Sequence, residues 1–304
     1  MPESLHARPD VLVLAGGGTL GEAWMRGLLD GAGTAADIDF RDCEYFVGTS
    51  AGSIVAAFLA AGRAPDSGAE ARAAKDWADA AGVNGQPRGR LAGFGRLGAA
   101  VAAPLAPIAL ASVSPGGALA RAAALRAAPS TSRSMPGLGR MIDAEGARFD
   151  GRLRIVAVDR RSGRRVVFGS PGSPSATVGQ AVLASCSVPW IFAPVKIGGR
   201  EYVDGGVWSP TNLDATPARR GTQVLCLNPT ASLPAGRSAF RALRAFSRSA
   251  AATETLALRA RGATVRTIGP DARAAEAMGV NLMDRGRVPQ VLAAGYAQGK
   301  ALAG

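Results

Sequence analysis

Histidine is almost missing from this chain. One occurs in 304 residues, His6, in a polar tail ahead of the first apolar run. The commonest general base of enzyme chemistry is therefore absent from nearly every part of the molecule. Lysine is nearly as scarce. Lys75, Lys196 and Lys300 are the only three, so the basic residues are almost all arginine. The cysteines Cys43, Cys186 and Cys226 are odd in number and far apart, which excludes a disulfide framework and a zinc pattern and leaves buried apolar filler. No run of about 18 apolar residues escapes a proline or a charge, so no transmembrane helix is expected. The stretch Met1 to Asp10 is polar, with no apolar signal region, and the expected location is cytoplasmic. Internal repeats and heptads are absent.

What remains is the make-up of a globular protein. An apolar content of 47%, distributed over alternating strand-like and helix-like segments, argues for an α/β fold with one large core. The net charge of +12 admits an anionic membrane surface or nucleic acid as partner. The charges are not gathered into one block, however, and solvated faces account for them. No nucleic acid is expected; peripheral contact with an anionic membrane stays open.

The most informative stretch is Tyr45-Phe46-Val47-Gly48-Thr49-Ser50-Ala51-Gly52-Ser53-Ile54-Val55. It reads as a strand ending at Gly48, a tight turn carrying Ser50, and a helix starting near Ser53 and stopping at Gly62. Gly-x-Ser-x-Gly between strand and helix is the nucleophile-elbow pattern. Gly48 and Gly52 allow the sharp turn and close packing around Ser50, which sits at a helix N-terminus where developing negative charge is favoured.

Upstream, the strand Val11-Leu12-Val13-Leu14 runs directly into Ala15-Gly16-Gly17-Gly18-Thr19-Leu20-Gly21. Two functions fit that loop. It matches the dinucleotide fingerprint, with Asp37 or Asp39 near the spacing of a ribose-binding acid. It equally suits an oxyanion hole, with the amides of Gly16, Gly17 and Gly18 as donors. The elbow one strand later favours the second.

Between Arg63 and Asp150 the texture changes to Ala, Gly, Arg and Pro, broken at Pro104, Pro107, Pro115, Pro129 and Pro136. A helical cap inserted over 63–150 of a single 1–304 domain is expected, with Leu97 to Val113 as either a lipid-facing lid or a packed helix pair. Strand signals return at Leu153 to Asp159, and an arginine-rich turn leads to Val166-Val167-Phe168. A helix follows from Thr177 to Ser185. Val195-Lys196-Ile197 and Glu201-Tyr202-Val203 then form a hairpin across Gly198-Gly199, delivering the chain to Asp204-Gly205-Gly206. Asp204, at a strand end with Gly205 turning the backbone away, is placed to project into a site. Further strands are expected at Thr222 to Leu227 and Ala263 to Ile268. Between them Arg237, Arg241, Arg244 and Arg248 share one helical face, and a last helix runs from Pro289 to about Leu302.

His6 belongs at the end of the first strand opposite the elbow, so a His-based triad is excluded. The remaining base is a carboxylate or a lysine, and Asp204 is the candidate with the right local setting. Together, the blocks Gly16 to Gly21, Gly48 to Gly52 and Asp204 to Gly206, with Ala184-Ser185-Cys186-Ser187-Val188-Pro189 ahead of the last, resemble those of the patatin-like phospholipases in kind and order. The resemblance implies a three-layer α/β/α fold with a mostly parallel sheet. It also implies lipid acyl-ester hydrolysis by a Ser50–Asp204 dyad, an oxyanion role for the glycine loop, and neither metal nor cofactor. This chain departs from the family at Leu20, where many members carry Arg or Lys. Asn212 follows Asp-Gly-Gly at a longer spacing than the family's Asn and is assigned no role. The rival expectations are a catalytically silent member that binds lipid or a partner, and a dinucleotide-binding protein.

Overall fold

The computed structural model describes residues 5, 7–65, 117–128, 131–232 and 238–304. His6, Arg237 and the run Leu97 to Val113 lie outside the described residues, as does most of the stretch read as a cap. Eight strands form one sheet: β1 (Val11–Leu14), β2 (Tyr45–Thr49), β3 (Leu153–Asp159), β4 (Arg165–Phe168), β5 (Val195–Ile197), β6 (Arg200–Asp204), β7 (Gln223–Leu227) and β8 (Thr264–Ile268). Their hydrogen-bonded order is β5-β6-β3-β2-β1-β7-β8, with β4 also beside β3. The centre, from β3 through β2, β1 and β7 to β8, is parallel; β4, β5 and β6 are antiparallel additions.

The register around β3 is what positions the site. β2 pairs along β3 as far as Thr49 opposite Val156. β6 runs the other way and ends with Asp204 opposite Ala157. β4 pairs with Ile155 through Val158, overlapping both neighbours, so it must occupy the other edge of β3. β2 and β6 therefore share one edge of β3 and meet end to end, with Thr49 and Asp204 on consecutive rungs.

Strand alternation divides the core between two faces. Leu12, Leu14, Phe46, Ile155 and Leu225 pack into one cluster with Trp24 and Leu28 of α1 (Gly18–Ala36), Ile54 and Val55 of α2 (Ala51–Ala60) and Val291 of α8 (Val288–Ala303). Val11, Val13, Val47, Val224 and Cys226 face the opposite way, onto Leu213 and onto Leu258 of α6 (Ser238–Ala260). Helices thus cover both faces of a mostly parallel sheet, which is the three-layer α/β/α architecture. Two further helices lie in the part of 63–150 that is described, α3 (Gly117–Ala127) and α4 (Pro136–Ala144). Pro136, read from sequence as a breaker, instead opens α4 at a position where a missing amide hydrogen costs nothing. Leu138 and Ile142 of α4 join the main core against α5 (Val178–Ser185). The short α7 (Ala272–Met278) packs beside α8.

The expected hairpin is present, joined by Gly198 and Gly199 at positive φ. Two arginines of the β3–β4 turn are held structurally, Arg160 by Glu201 and Arg165 by Asp214. All three cysteines are free and buried, and burial pushes their thiols up.

Gly52 gives the sharpest local test of this packing. A Cβ there would overlap the backbone carbonyl of Leu14, whereas Gly62, at φ +79°, faces open space. Gly52→Ala is expected to destabilise by about 3–5 kcal/mol, and Gly62→Ala by about 1 kcal/mol through backbone strain alone. Chemical denaturation of both variants checks the contrast, and equal losses would contradict the close approach of α2 to β1.

Candidate active site

Ser50 follows the last residue of β2 and precedes the first of α2, with φ 52° and ψ −125°. Backbone strain of this kind persists only where its surroundings over-determine it, and here both backbone groups of Ser50 are tied. Its amide donates to Ser185 Oγ at 2.8 Å, and that hydroxyl donates in turn to the Val156 carbonyl at 2.6 Å. Its carbonyl accepts from the Ser53 amide at 2.8 Å and the Ser53 hydroxyl at 2.6 Å. Gly48 and Gly52 complete the turn. A Cβ on Gly48 would lie 2.5 Å from the Ser53 Cα.

Asp204 comes to the same place from the opposite direction, at the end of β6. Its amide donates to the Ser187 carbonyl at 3.0 Å, and one carboxylate oxygen accepts from the Gly206 amide at 2.7 Å. The carboxylate also accepts from the Ser50 side chain. Asp204 is 5% exposed, and desolvation pushes its pKa up to about 6 against the lowering pull of those two hydrogen bonds. Gly205 leaves no room for a side chain beside the Val156 carbonyl and Thr49.

The glycine loop lies alongside. An added Cβ on Gly16 would be 3.5 Å from Ser50 Cβ, so this residue lines the approach to the hydroxyl. Its amide is already committed to the Pro210 carbonyl at 2.9 Å, which removes Gly16 from the set of three expected amide donors. The reason is the Ser209–Asn212 corner, which the sequence did not place against the loop. The amides of Gly17 and Gly18, at the start of α1, donate to no described residue. They lie where the α1 dipole is positive. Leu20 points into the core, fully buried, and its amide donates to the Leu282 carbonyl at 2.9 Å.

Two side chains that sequence reasoning left without a role hold this arrangement together. Asn212, buried and at φ 48°, donates through Nδ2 to Thr49 Oγ1 at 3.1 Å and to the Gly205 carbonyl at 3.2 Å. It therefore bridges the last residue of β2 to the residue after Asp204. Glu254 of α6 is also buried and accepts from Thr211 Oγ at 2.6 Å and the Leu213 amide at 2.7 Å, with burial pushing its carboxyl up. A sequence signal for Glu254 existed: it shares a helical face with the buried Ala251 and Leu258.

The geometry also bears on the dinucleotide alternative. Asp37 and Asp39 lie in the connection from α1 into β2, on the edge where the parallel strands begin, and the glycine loop is on the edge where they end. Asp39 is moreover paired with Arg41. An acid reading a ribose would have to stand on the loop's own edge.

A family model, patatin-like phospholipase, matches residues 12–217. No curated protein matches the sequence. Among solved structures, VipD from Legionella pneumophila aligns at TM-score 0.45 and 15% identity, over 98% of this chain and 67% of that one. The type III effector protein ExoU aligns at TM-score 0.34 and 15% identity, over 96% of this chain. This chain spans 53% of the ExoU chain's length. The family match runs from β1 past the Asn212 corner and takes in the glycine loop, the Ser50 elbow and the Asp204 turn, and the chain belongs to the patatin-like phospholipase family.

Proposed function

We propose that this protein hydrolyses acyl esters of lipids through an acyl-serine intermediate, with Ser50 as nucleophile and Asp204 as general base. The observation that carries this reading is the hydrogen bond between a strained, doubly anchored Ser50 and a buried carboxylate whose pKa is about 6. Such a carboxylate is ionised at neutral pH yet basic enough to take a proton.

In the proposed reaction Asp204 accepts the Ser50 proton as Oγ attacks the ester carbonyl carbon. The carbonyl oxygen becomes an oxyanion beside the free amides of Gly17 and Gly18, and Gly16 provides clearance rather than a donor. Collapse breaks the ester C–O bond, and Asp204 returns the proton to the departing alcohol. Water then attacks the acyl-Ser50 carbonyl, with Asp204 accepting its proton. The fatty acid leaves, and the proton returns to Ser50 Oγ. Ser185, Asn212 and Glu254 are positioning residues in this scheme.

A fluorophosphonate probe tests the assignment by mass spectrometry. An adduct on Ser50 is expected, absent in Ser50→Ala, and turnover of a phospholipid or lysophospholipid ester should fall about 10²–10⁴-fold in Asp204→Asn. A folded wild-type sample that takes no label would sink the proposal.

The pH dependence follows from Asp204. Only its ionised form is a base, so log kcat/KM should climb with pH to a plateau above about 6. Stability should change in the opposite sense. A carboxyl lifted from 3.8 to about 6 burdens the folded state by about 3 kcal/mol when ionised. That penalty is complete above pH 6 and vanishes as pH falls below 4. Asp204→Asn should therefore melt higher than wild type at pH 8 and lose this advantage by pH 4. A variant that is less stable at every pH would argue against a desolvated carboxylate.

A further inference from the structure

Arg121 of α3 is fully buried, yet no carboxylate among the described residues opposes its guanidinium. Desolvation alone acts on it and holds its pKa below the usual range. Its Nη1 donates to the Gly163 carbonyl at 2.6 Å, while Nε and Nη2 have no partner. A buried cation without a counter-ion is unfavourable, so the position calls for a reason. The guanidinium lies over the ring of Trp208, 4.3 Å from its centroid, and a desolvated cation over an indole is a strong form of that contact.

What α3 rests on is the segment that carries Asp204. A Cβ on Gly163, at φ +64°, would overlap the Ala118 carbonyl, so α3 is pressed onto the β3–β4 turn. Leu125 of α3 clusters with Val158, Val203 and Val207, and the last two flank Asp204 in the chain. Trp208 is tied to the same corner in two ways. Its amide donates to the Gly205 carbonyl at 3.0 Å. Its ring also lies under a second guanidinium, that of Arg165, at 5.3 Å. Arg165 donates to Asn212 Oδ1 at 3.3 Å and is held by Asp214. Asn212 in turn donates to the Gly205 carbonyl at 3.2 Å. Both routes from Trp208 therefore end on the carbonyl of the residue that follows Asp204.

We infer that Arg121 is a positioning residue for the reaction at Ser50. Seated between the Gly163 carbonyl and the Trp208 ring, it fixes the corner from Asp204 to Asn212, and Asp204 is aligned on the Ser50 hydroxyl only while α3 is docked there. A guanidinium suits this task because one plane serves both the stack and the hydrogen bond, which lysine cannot reproduce. The inference rests on the Ser50–Asp204 reaction proposed above. It adds that α3, in the part of the chain read from sequence as a cap, controls the base rather than merely covering the sheet.

Steady-state kinetics on the full chain with p-nitrophenyl butyrate, beside the rate of fluorophosphonate labelling at Ser50, test it. Arg121→Met keeps the stem and removes the cation. Its kcat and labelling rate should fall about 10–100-fold, with KM within about twofold of wild type, because the loss lies in proton transfer and not in ester binding. Trp208→Leu should lose as much, whereas Trp208→Phe, which keeps a ring under the guanidinium, should stay within about threefold of wild type. The double variant Arg121→Met/Trp208→Leu should fall no further than either single one, as expected of two halves of one contact. Met278→Ala, buried in α7 away from this corner, should lower stability and leave kcat intact. Wild-type kcat in Arg121→Met, multiplying losses in the double variant, or an equal kcat loss in Met278→Ala would overturn the inference while leaving the reaction at Ser50 standing. A folded wild type that neither labels nor turns over would remove both. If Arg121→Met fails to fold, the contrast between Trp208→Phe and Trp208→Leu decides, and equal losses in those two count against the contact.

Discussion

The molecule depends on one shared edge. β2 and β6 occupy the same side of β3 and stop on consecutive rungs, Thr49 opposite Val156 and Asp204 opposite Ala157. Two strands running toward one another in line must each turn out of the sheet where they meet. The chain leaves β2 through Ser50 and leaves β6 through Asp204, so the two side chains are brought together by strand register rather than by loop conformation. Register is a strong constraint in a buried sheet, because a slip of one residue would turn every core side chain to the wrong face. A site specified this way inherits the rigidity of the core.

The meeting point is crowded, and the crowding explains its composition. Ser185 Oγ links the Ser50 amide to the Val156 carbonyl, Asn212 links Thr49 to the Gly205 carbonyl, and Glu254 fixes the segment carrying Asn212. Each of these polar side chains is buried and bonded to backbone or hydroxyl groups of the segments that meet here. Such networks are costly when incomplete and rigidifying when complete. Here they hold Ser50 at a φ that a serine would not otherwise keep.

That distinction separates what could be read from the sequence from what could not. Local chemistry was legible. The glycine loop, the elbow, the Gly198-Gly199 hairpin and the Asp204 turn each carry their signal within a few residues, and all fall where that signal predicts. Long-range polar partners were not. The commitment of the Gly16 amide to the Pro210 carbonyl joins residues far apart in the chain, and no local pattern announces it. Asn212 was visible as a residue but not as a brace, since its partners Thr49 and Gly205 come together only after β2 and β6 have paired. α1 begins at Gly18, inside the glycine loop, and its first turn donates the Leu20 amide to the distant Leu282 carbonyl.

In the proposed reaction the base is Asp204 rather than a histidine, and its burial bears on that role. A neutral base with a pKa near neutrality can stand half in water, whereas a carboxylate reaches that range only by losing its solvent. Burial alone would favour the protonated acid and disable it. Two hydrogen bonds oppose it, from the Gly206 amide and the Ser50 hydroxyl, and pull the carboxyl back toward its ordinary range. Gly205 and Gly206 suit that balance because they let the backbone turn back under the carboxylate and supply one amide to it. A dry, closely packed sheet edge is thus a physical requirement of a carboxylate base. Ser185, Asn212 and Glu254 supply the polar bracing around that edge.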